Sequence, residues 1–265
     1  MTESSKLLEI KGLSLQFPEI NLTAIKDSNF YVKEGEIFAL VGESGSGKSL
    51  TALSVIGLEP NNAQIKGQIF FKDKKLLDES EYIAAKKRSF PNKIRGIEIS
   101  YIPQDPLSSL NPMYTIYNQL KEAILVYKPS SSEEESYKKS FAALKSVGIP
   151  DPARALKAYP HELSGGMRQR VMIAMALIND PDLIIADEPT TALDVTVQAN
   201  ILELLRSLKK TMIFITHDLG VVAQLADRVC VMEKGVIVEQ NDVFSLYESP
   251  QEQYTKDLLS AVPSL

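Results

Sequence analysis

Glu36-Ile-Phe-Ala-Leu-Val41 runs directly into Gly42-Glu43-Ser44-Gly45-Ser46-Gly47-Lys48-Ser49, and Leu50-Thr-Ala-Leu-Ser-Val-Ile56 follows. The first run is short, apolar and rich in β-branched and aromatic residues, which reads as a buried strand. The last has the length and apolar spacing of a helix. The loop between them fits G-x-x-x-x-G-K-[ST], whose backbone N–H groups cradle phosphate oxygens. A helix start just beyond it adds unpaired N–H groups and the positive end of a dipole. Lys48 is expected to reach the β and γ phosphates, and the Ser49 hydroxyl to bind Mg²⁺. Strand, glycine loop and helix in that order point to an α/β fold and to nucleoside triphosphate chemistry.

A second apolar run, Leu183-Ile-Ile-Ala186, ends in Asp187-Glu188. Its lack of alternation suits a strand covered on both faces in a parallel sheet, and Pro189 closes it. Asp187 is therefore expected to hold Mg²⁺, directly or through water, and Glu188 to orient or deprotonate a water at the γ-phosphate. His217 follows a third apolar run, Met212-Ile-Phe-Ile-Thr216, where it can donate to a γ-phosphate oxygen. His161 lacks such a setting and reads as a structural residue. Leu163-Ser164-Gly165-Gly166-Met167 is a further glycine-rich turn suited to an anion.

The chain has 265 residues, 44% of them hydrophobic, enough for a substantial core in one large domain or a core with a subdomain. Its 29 basic and 34 acidic residues leave a net charge of −5, which argues against nucleic acid as a partner. One cysteine, Cys230, excludes an internal disulfide. It sits in Arg228-Val-Cys-Val-Met232 and reads as a buried strand residue. Met1-Thr-Glu-Ser-Ser is polar and lacks the layout of a secretory signal. No run approaches the roughly 18 apolar residues of a membrane span, so any membrane link is expected to go through protein partners.

Residues 7–40 alternate strands and turns, and Gly67-Gln-Ile-Phe-Phe reads as another strand. Ala84-Ala-Lys-Lys-Arg-Ser89 reads as a solvated basic helical segment. From Thr115 to Val147 the pattern is helical, interrupted by the polar run Lys128–Glu135, which is expected to be a mobile surface loop. A helix over Val221–Asp227, strands over Val229–Met232 and Val236–Glu239, and a last helix near Tyr254–Ala261 complete the reading. Residues 105–178 thus form a helical insert. It divides an α/β core of residues 1–104 and 179–245, with 246–265 as a helical tail.

Taken together these runs resemble an ATP-binding cassette (ABC) ATPase from about residue 7 to 245. Gly42–Ser49 resembles the Walker A loop, Gln104 the Q-loop glutamine, and Leu163–Met167 the signature. Asp187 and Glu188 resemble the Walker B pair, Ala192-Leu193-Asp194 the D-loop, and His217 the switch histidine. The resemblance implies a phosphate-loop NTPase (RecA-like) core with a parallel central sheet, an N-terminal antiparallel β subdomain and an inserted helical subdomain. It implies ATP and Mg²⁺ as ligands. Gly42, Glu43, Ser44, Gly45, Ser46, Gly47, Lys48, Ser49 and Leu50 would surround the phosphates, and Ser49, Gln104 and Asp187 the metal. Glu188, His217 and Gln104 would be catalytic, and Phe17 would stack on adenine. It also implies a head-to-tail dimer, in which Ser164, Gly165 and Gly166 of one copy cap the γ-phosphate held by the other and Asp194 bridges the two.

A narrower resemblance, over Gln104-Asp-Pro-Leu-Ser-Ser-Leu-Asn-Pro112 and Tyr254-Thr-Lys-Asp-Leu-Leu-Ser-Ala-Val-Pro263, is to ATPase subunits of bacterial peptide and nickel importers. Gln253 departs from the proline usual before that tyrosine. The cysteine-bearing extension that holds an iron–sulfur cluster in several relatives is absent, and a cluster needs several thiolates. The implied partners are two transmembrane permease subunits, a second ATPase subunit (a related chain favoured over self) and, indirectly, an extracytoplasmic binding protein. The implied place is the cytoplasmic face of the cell membrane. Peptides are the expected cargo and nickel or a metal chelate the alternative. A soluble ABC ATPase of DNA repair or translation is disfavoured, because the chain has one cassette and only residues 50–162 separate loop from signature. A GTPase would need N-K-x-D, and Asn92-Lys-Ile-Arg95 ends in arginine.

Overall fold

The computed structural model describes residues 5–91, 93–105, 109–191 and 193–261. Asn92, residues 106–108 of the run after Gln104, Ala192 of the D-loop and residues 262–265 of the tail lie outside the described residues, as do residues 1–4. The chain starts with β1 (Lys6–Phe17), β2 (Leu22–Lys33), β3 (Ile37–Val41), α1 (Lys48–Val55), β4 (Gln64–Phe71), β5 (Lys74–Ala84) and β6 (Ile99–Ile102). Then come α2 (Ile116–Leu125), α3 (Glu133–Ser146), α4 (Pro152–Lys157), α5 (Gly165–Leu177), β7 (Leu183–Asp187) and α6 (Val195–Ser207). The chain closes with β8 (Thr211–Thr216), α7 (Leu219–Leu225), β9 (Arg228–Glu233), β10 (Val236–Asp242), α8 (Val243–Glu248) and α9 (Gln253–Ser260). Two compact units result: Met1–Asn92 with Lys210–Leu265, and Lys93–Lys209.

In the first unit an antiparallel sheet has the order β2-β1-β4-β5. Leu8, Ile10 and Leu15 of β1 face Phe71, Ile69 and Ile65 of β4, so the alternating apolar residues of both strands are buried together. The strands that carry the glycine loop run β10-β9-β3-β8. β3 is parallel to both β8 and β9, and every residue of β3 and β8 is buried. Such uniformly apolar strands form where both faces are covered. One cover is a cluster in which Ala39 and Val41 of β3 meet Leu219, Val222, Val229, Val231, Val243 and Leu246. Tyr254, Leu258 and Leu259 of α9 pack against that cluster. Each fully buried aliphatic side chain there contributes about 1.5–3 kcal/mol relative to exposure.

Residues 84–89 depart from the expected solvated helix. Ala84 ends β5, Ala85–Lys87 make a single 3-10 turn, and the Arg88 side chain is only 3% exposed. Its guanidinium lies 3.0 Å from both carboxylate oxygens of Glu59, itself 2% exposed, and donates to the carbonyls of Leu76 and Ser54. A charge is kept inside only when its donors are matched in this way.

In the second unit β6 and β7 pair in parallel from Ile99↔Leu183 to Ile102↔Ala186, and Ser100 Oγ donates to the Ala176 carbonyl of α5 at 2.6 Å. The expected helical segment 105–178 lies wholly within this unit, alongside β6, β7 and α6. The run Lys128–Glu135 is corrected by the structure: its last three residues are the first turn of α3. Ser132 Oγ accepts from the Glu135 N–H at 3.2 Å, and Glu135 Oε2 accepts from the Ser132 N–H at 3.0 Å. The reciprocal cap, with three acids on the positive end of the dipole, makes a helix start from a composition that suggests a loop.

Candidate functional site

The glycine loop leaves β3 at Val41 and enters α1 at Lys48. At Gly42 (φ 146°) an added Cβ would stand 2.1 Å from the Met232 carbonyl, and at Gly47 (φ 104°) 2.8 Å from the Ala24 carbonyl. Both positions therefore exclude a side chain on backbone angle and on space. Gly47 also begins α1 without a side-chain cap. Lys48 is 4% exposed and folds back over the loop, donating to the carbonyls of Gly42 at 2.7 Å and Glu43 at 2.8 Å. Ser49 sits exposed at the helix start, and Leu50 behind it is half-buried. Glu43, Ser44 and Gly45 form the open rim of the loop, while Ser46 is buried and its carbonyl accepts from the Gly235 N–H at 3.0 Å.

His217 is held at the same end of these strands. Thr216 is the register partner of Val41, so His217 and Gly42 are the next residues on neighbouring parallel strands. Its imidazole is exposed, and Asp218 beside it caps α7 by accepting from the Val221 N–H at 3.2 Å. Phe17 ends β1 opposite Leu22 and is partly exposed, not part of the core. His161 is exposed on a 3-10 turn and stacks on Tyr159 at 5.7 Å between ring centres.

In the second unit the β6–β7 register brings two candidate catalytic residues together. Ile102 pairs with Ala186, which sets Gln104 opposite Glu188 two residues on. Gln104 Nε2 donates to Glu188 Oε2 at 3.0 Å, and Thr191 Oγ1 donates to the same oxygen at 2.9 Å. Glu188 stands at φ 46°, a left-handed conformation that costs a non-glycine residue free energy and is typical of functional positions. Asp187, one residue earlier, is 4% exposed and accepts from the Tyr101 hydroxyl at 2.8 Å. Burial and the facing carboxylate push the Tyr101 phenol well above its ordinary value, so it remains a donor. Neither Tyr101 nor Thr191 stood out in the sequence. Their only signal was position, three residues before Gln104 and three after Glu188.

The signature turn opens α5, with Ser164 as N-cap accepting from the Met167 N–H at 3.3 Å. Ser164 and Gly165 are exposed, and nothing lies within 4 Å of the place a Gly165 Cβ would take. A Gly166 Cβ would stand 2.8 Å from Val197 Cγ1, so the first turns of α5 and α6 touch. Asp194 caps α6, accepting from the Val197 N–H at 2.9 Å.

The sequence matches the family described as ABC transporter over residues 25–191. It is 48% identical to the oligopeptide transport ATP-binding protein OppD of Lactococcus lactis subsp. cremoris (strain SK11), over 99% of this chain and 77% of the relative. It is also 48% identical to the dipeptide transport ATP-binding protein DppD of Bacillus subtilis (strain 168), over 98% of this chain and 78% of that one. Among solved structures it resembles the dimeric post-hydrolysis state of the ATP-binding cassette MJ0796 bound to ADP and Pi. That similarity has a TM-score of 0.74 and 29% identity, over 89% of this chain and 98% of the other. Phosphate loop, acidic strand end, exposed signature turn and near full-length identity converge, and the chain belongs to the ABC transporter family.

Proposed function

We propose that this ATPase powers an importer of oligopeptides or dipeptides. The observation that carries the cargo class is its identity, along nearly the whole chain, to relatives described as oligopeptide and dipeptide transport ATP-binding proteins. Nickel or a metal chelate is the alternative cargo. Among the described residues no helix is long and apolar enough to cross a membrane. In this proposal the chain works at the inner face of the membrane against two permease subunits fed by a binding protein, a reading supported by its likeness to transport ATP-binding proteins.

In this proposal the loop N–H groups and Lys48 hold the β and γ phosphates, Lys48 reaching them from its place over the Gly42 and Glu43 carbonyls. The hydroxyl of Ser49, the carboxylate of Asp187 and the side-chain carbonyl of Gln104 are hard oxygen donors, which suit Mg²⁺. Among the described residues no three His, Cys, Asp or Glu side chains form a metal cage of their own. In the proposal the ion is shared with phosphate oxygens and water. Once bound, it would neutralise charge on the β and γ oxygens. Glu188 orients and deprotonates the attacking water, its carboxylate steadied by Gln104 and Thr191. His217 donates to a γ-phosphate oxygen, and Phe17 stacks on adenine.

Ser164, Gly165 and Gly166 are proposed to cap the γ-phosphate of a second ATPase subunit, with Asp194 at the contact. The exposed, uncrowded start of α5 supports this, because a helix N-terminus is an anion site. The dimeric cassette MJ0796 with ADP and Pi gives it further support. A related ATPase is the favoured second subunit.

Co-expression with permease subunits and a binding protein, followed by uptake of labelled peptide and of nickel, tests the reading. Peptide uptake that stops in Glu188→Gln complexes is the expected result. ATP turnover that never couples to peptide entry would overturn it.

A further inference from the structure

The tail helix α9 has no task in the chemistry above, yet it is firmly docked. Glu239 of β10 receives its approach, accepting from the N–H groups of Gln251 at 2.9 Å and Glu252 at 3.1 Å. Leu258 and Leu259 pack on the buried cluster that includes Val41, the residue before Gly42. At the end of this path the Tyr254 hydroxyl accepts from the N–H of Glu43 at 3.0 Å.

The other edge of that same peptide unit is the Gly42 carbonyl, which accepts from Lys48 Nζ at 2.7 Å. The Gly42–Glu43 peptide is thus gripped on its N–H by the tail and on its C=O by the phosphate-seeking lysine. The next carbonyl, that of Glu43, takes a second bond from Lys48 at 2.8 Å. Hydrogen bonds linked through one peptide polarise each other. A peptide beside a glycine turns over at little steric cost, so this grip decides whether position 43 presents an N–H or a carbonyl oxygen.

We infer that Tyr254 is a positioning residue for ATP binding, fixing the Gly42–Glu43 peptide from the C-terminal helix and, through it, the place from which Lys48 reaches phosphate. The inference rests on the ATPase reading of the loop. It makes the seating of α9 part of the nucleotide site, so that anything displacing the tail weakens ATP binding.

Full-length wild type, Tyr254→Phe and Lys48→Ala are titrated with Mg-ATP, and turnover is measured over a range of ATP. Tyr254→Phe keeps the ring that packs on the cluster and removes only the hydroxyl. Loss of one hydrogen bond is expected to weaken ATP binding about three- to tenfold. KM should rise by the same factor with kcat unchanged, and the Glu43 amide should exchange its hydrogen faster. A tyrosine that serves packing alone would change thermal stability and leave KM where it is, and that result overturns the inference. Glu239→Gln, which loosens α9 while keeping Tyr254, is the second variant and should raise KM in the same direction; an unchanged KM in both variants is equally fatal. If wild type and Lys48→Ala bind ATP alike, the ATPase reading fails instead.

Discussion

The Tyr101 hydroxyl donates to Asp187 Oδ2 at 2.8 Å, tying the third residue of β6 to the proposed metal-binding carboxylate. With Asp187 4% exposed, this bond helps hold the carboxylate in its orientation. Outer partners of this kind typically matter 10–100-fold for metal affinity. Tyr101→Phe should therefore raise the Mg²⁺ concentration needed for half-maximal turnover by about tenfold. ATP binding measured without Mg²⁺ should stay as in wild type. A turnover series across Mg²⁺ concentrations checks this, and an unchanged Mg²⁺ requirement would remove Tyr101 from the site.

Glu188 combines chemistry with backbone strain. Glu188→Gln keeps size and shape but not the base, so hydrolysis should fall by about 10²–10⁴-fold while ATP binding persists. Sizing chromatography with ATP should then recover a dimer joined through nucleotide. The conformation at φ 46° makes a separate claim about stability. Glu188→Ala and Glu188→Gly both lose the bonds to Gln104 and Thr191, and only glycine relieves the left-handed backbone. Glycine should be the more stable of the two by about 1 kcal/mol in urea unfolding, after its greater unfolded-state entropy is subtracted.

Arg88 and Glu59 form a pair that is almost wholly buried. Removing one member leaves the other charge without its partner in a dry site, which costs about 3–5 kcal/mol. Arg88→Met should show that loss in denaturant unfolding, whereas Lys86→Met and Lys87→Met, two exposed neighbours, should lie near wild type. Equal stability of all three would mean the pair contributes nothing.

These residues mark the boundary of what the chain's order of amino acids reveals. The run from Glu36 to Ile56 announces strand, loop and helix because period, glycine and lysine all act locally. Leu183–Glu188 and Met212–His217 do the same for their strand ends. The Gln104–Glu188 and Tyr101–Asp187 contacts depend on the register between β6 and β7. Leu183–Ala186 of β7 is apolar throughout and carries no alternation from which register can be read. Arg88 looked solvated because its partners, Glu59, Ser54 and Leu76, are remote in sequence. The start of α3 was hidden by composition, since serines and glutamates that suggest a loop also make a capping box. Tyr254 was visible as part of a tail pattern, but nothing local could show that its hydroxyl ends on Glu43.

The acid response of the tail follows from Glu239. Burial is the largest single influence and raises its carboxyl, yet the Gln251 N–H, the Thr255 hydroxyl, the Glu252 N–H and the Lys256 charge together hold it below the ordinary glutamate value. A carboxyl depressed by folding contributes stability above its unfolded value, near 4.3, and loses it as pH falls through the folded value. Docking of α9 should therefore be insensitive to this group from neutral pH down to about 5 and weaken only below the ordinary carboxylate range. Glu36 acts in the opposite sense. Burial raises its carboxyl despite the Lys33 N–H and Arg228, so its share of stability is complete in acid and is lost as pH climbs through its raised value. Hydrogen exchange of the α9 amides across the acid range separates the two. Protection of α9 should fall at low pH in wild type and lose much of that dependence in Glu239→Gln, while Glu36→Gln leaves the α9 profile unchanged. An α9 profile that ignores Glu239→Gln would show that its seat does not depend on that carboxylate.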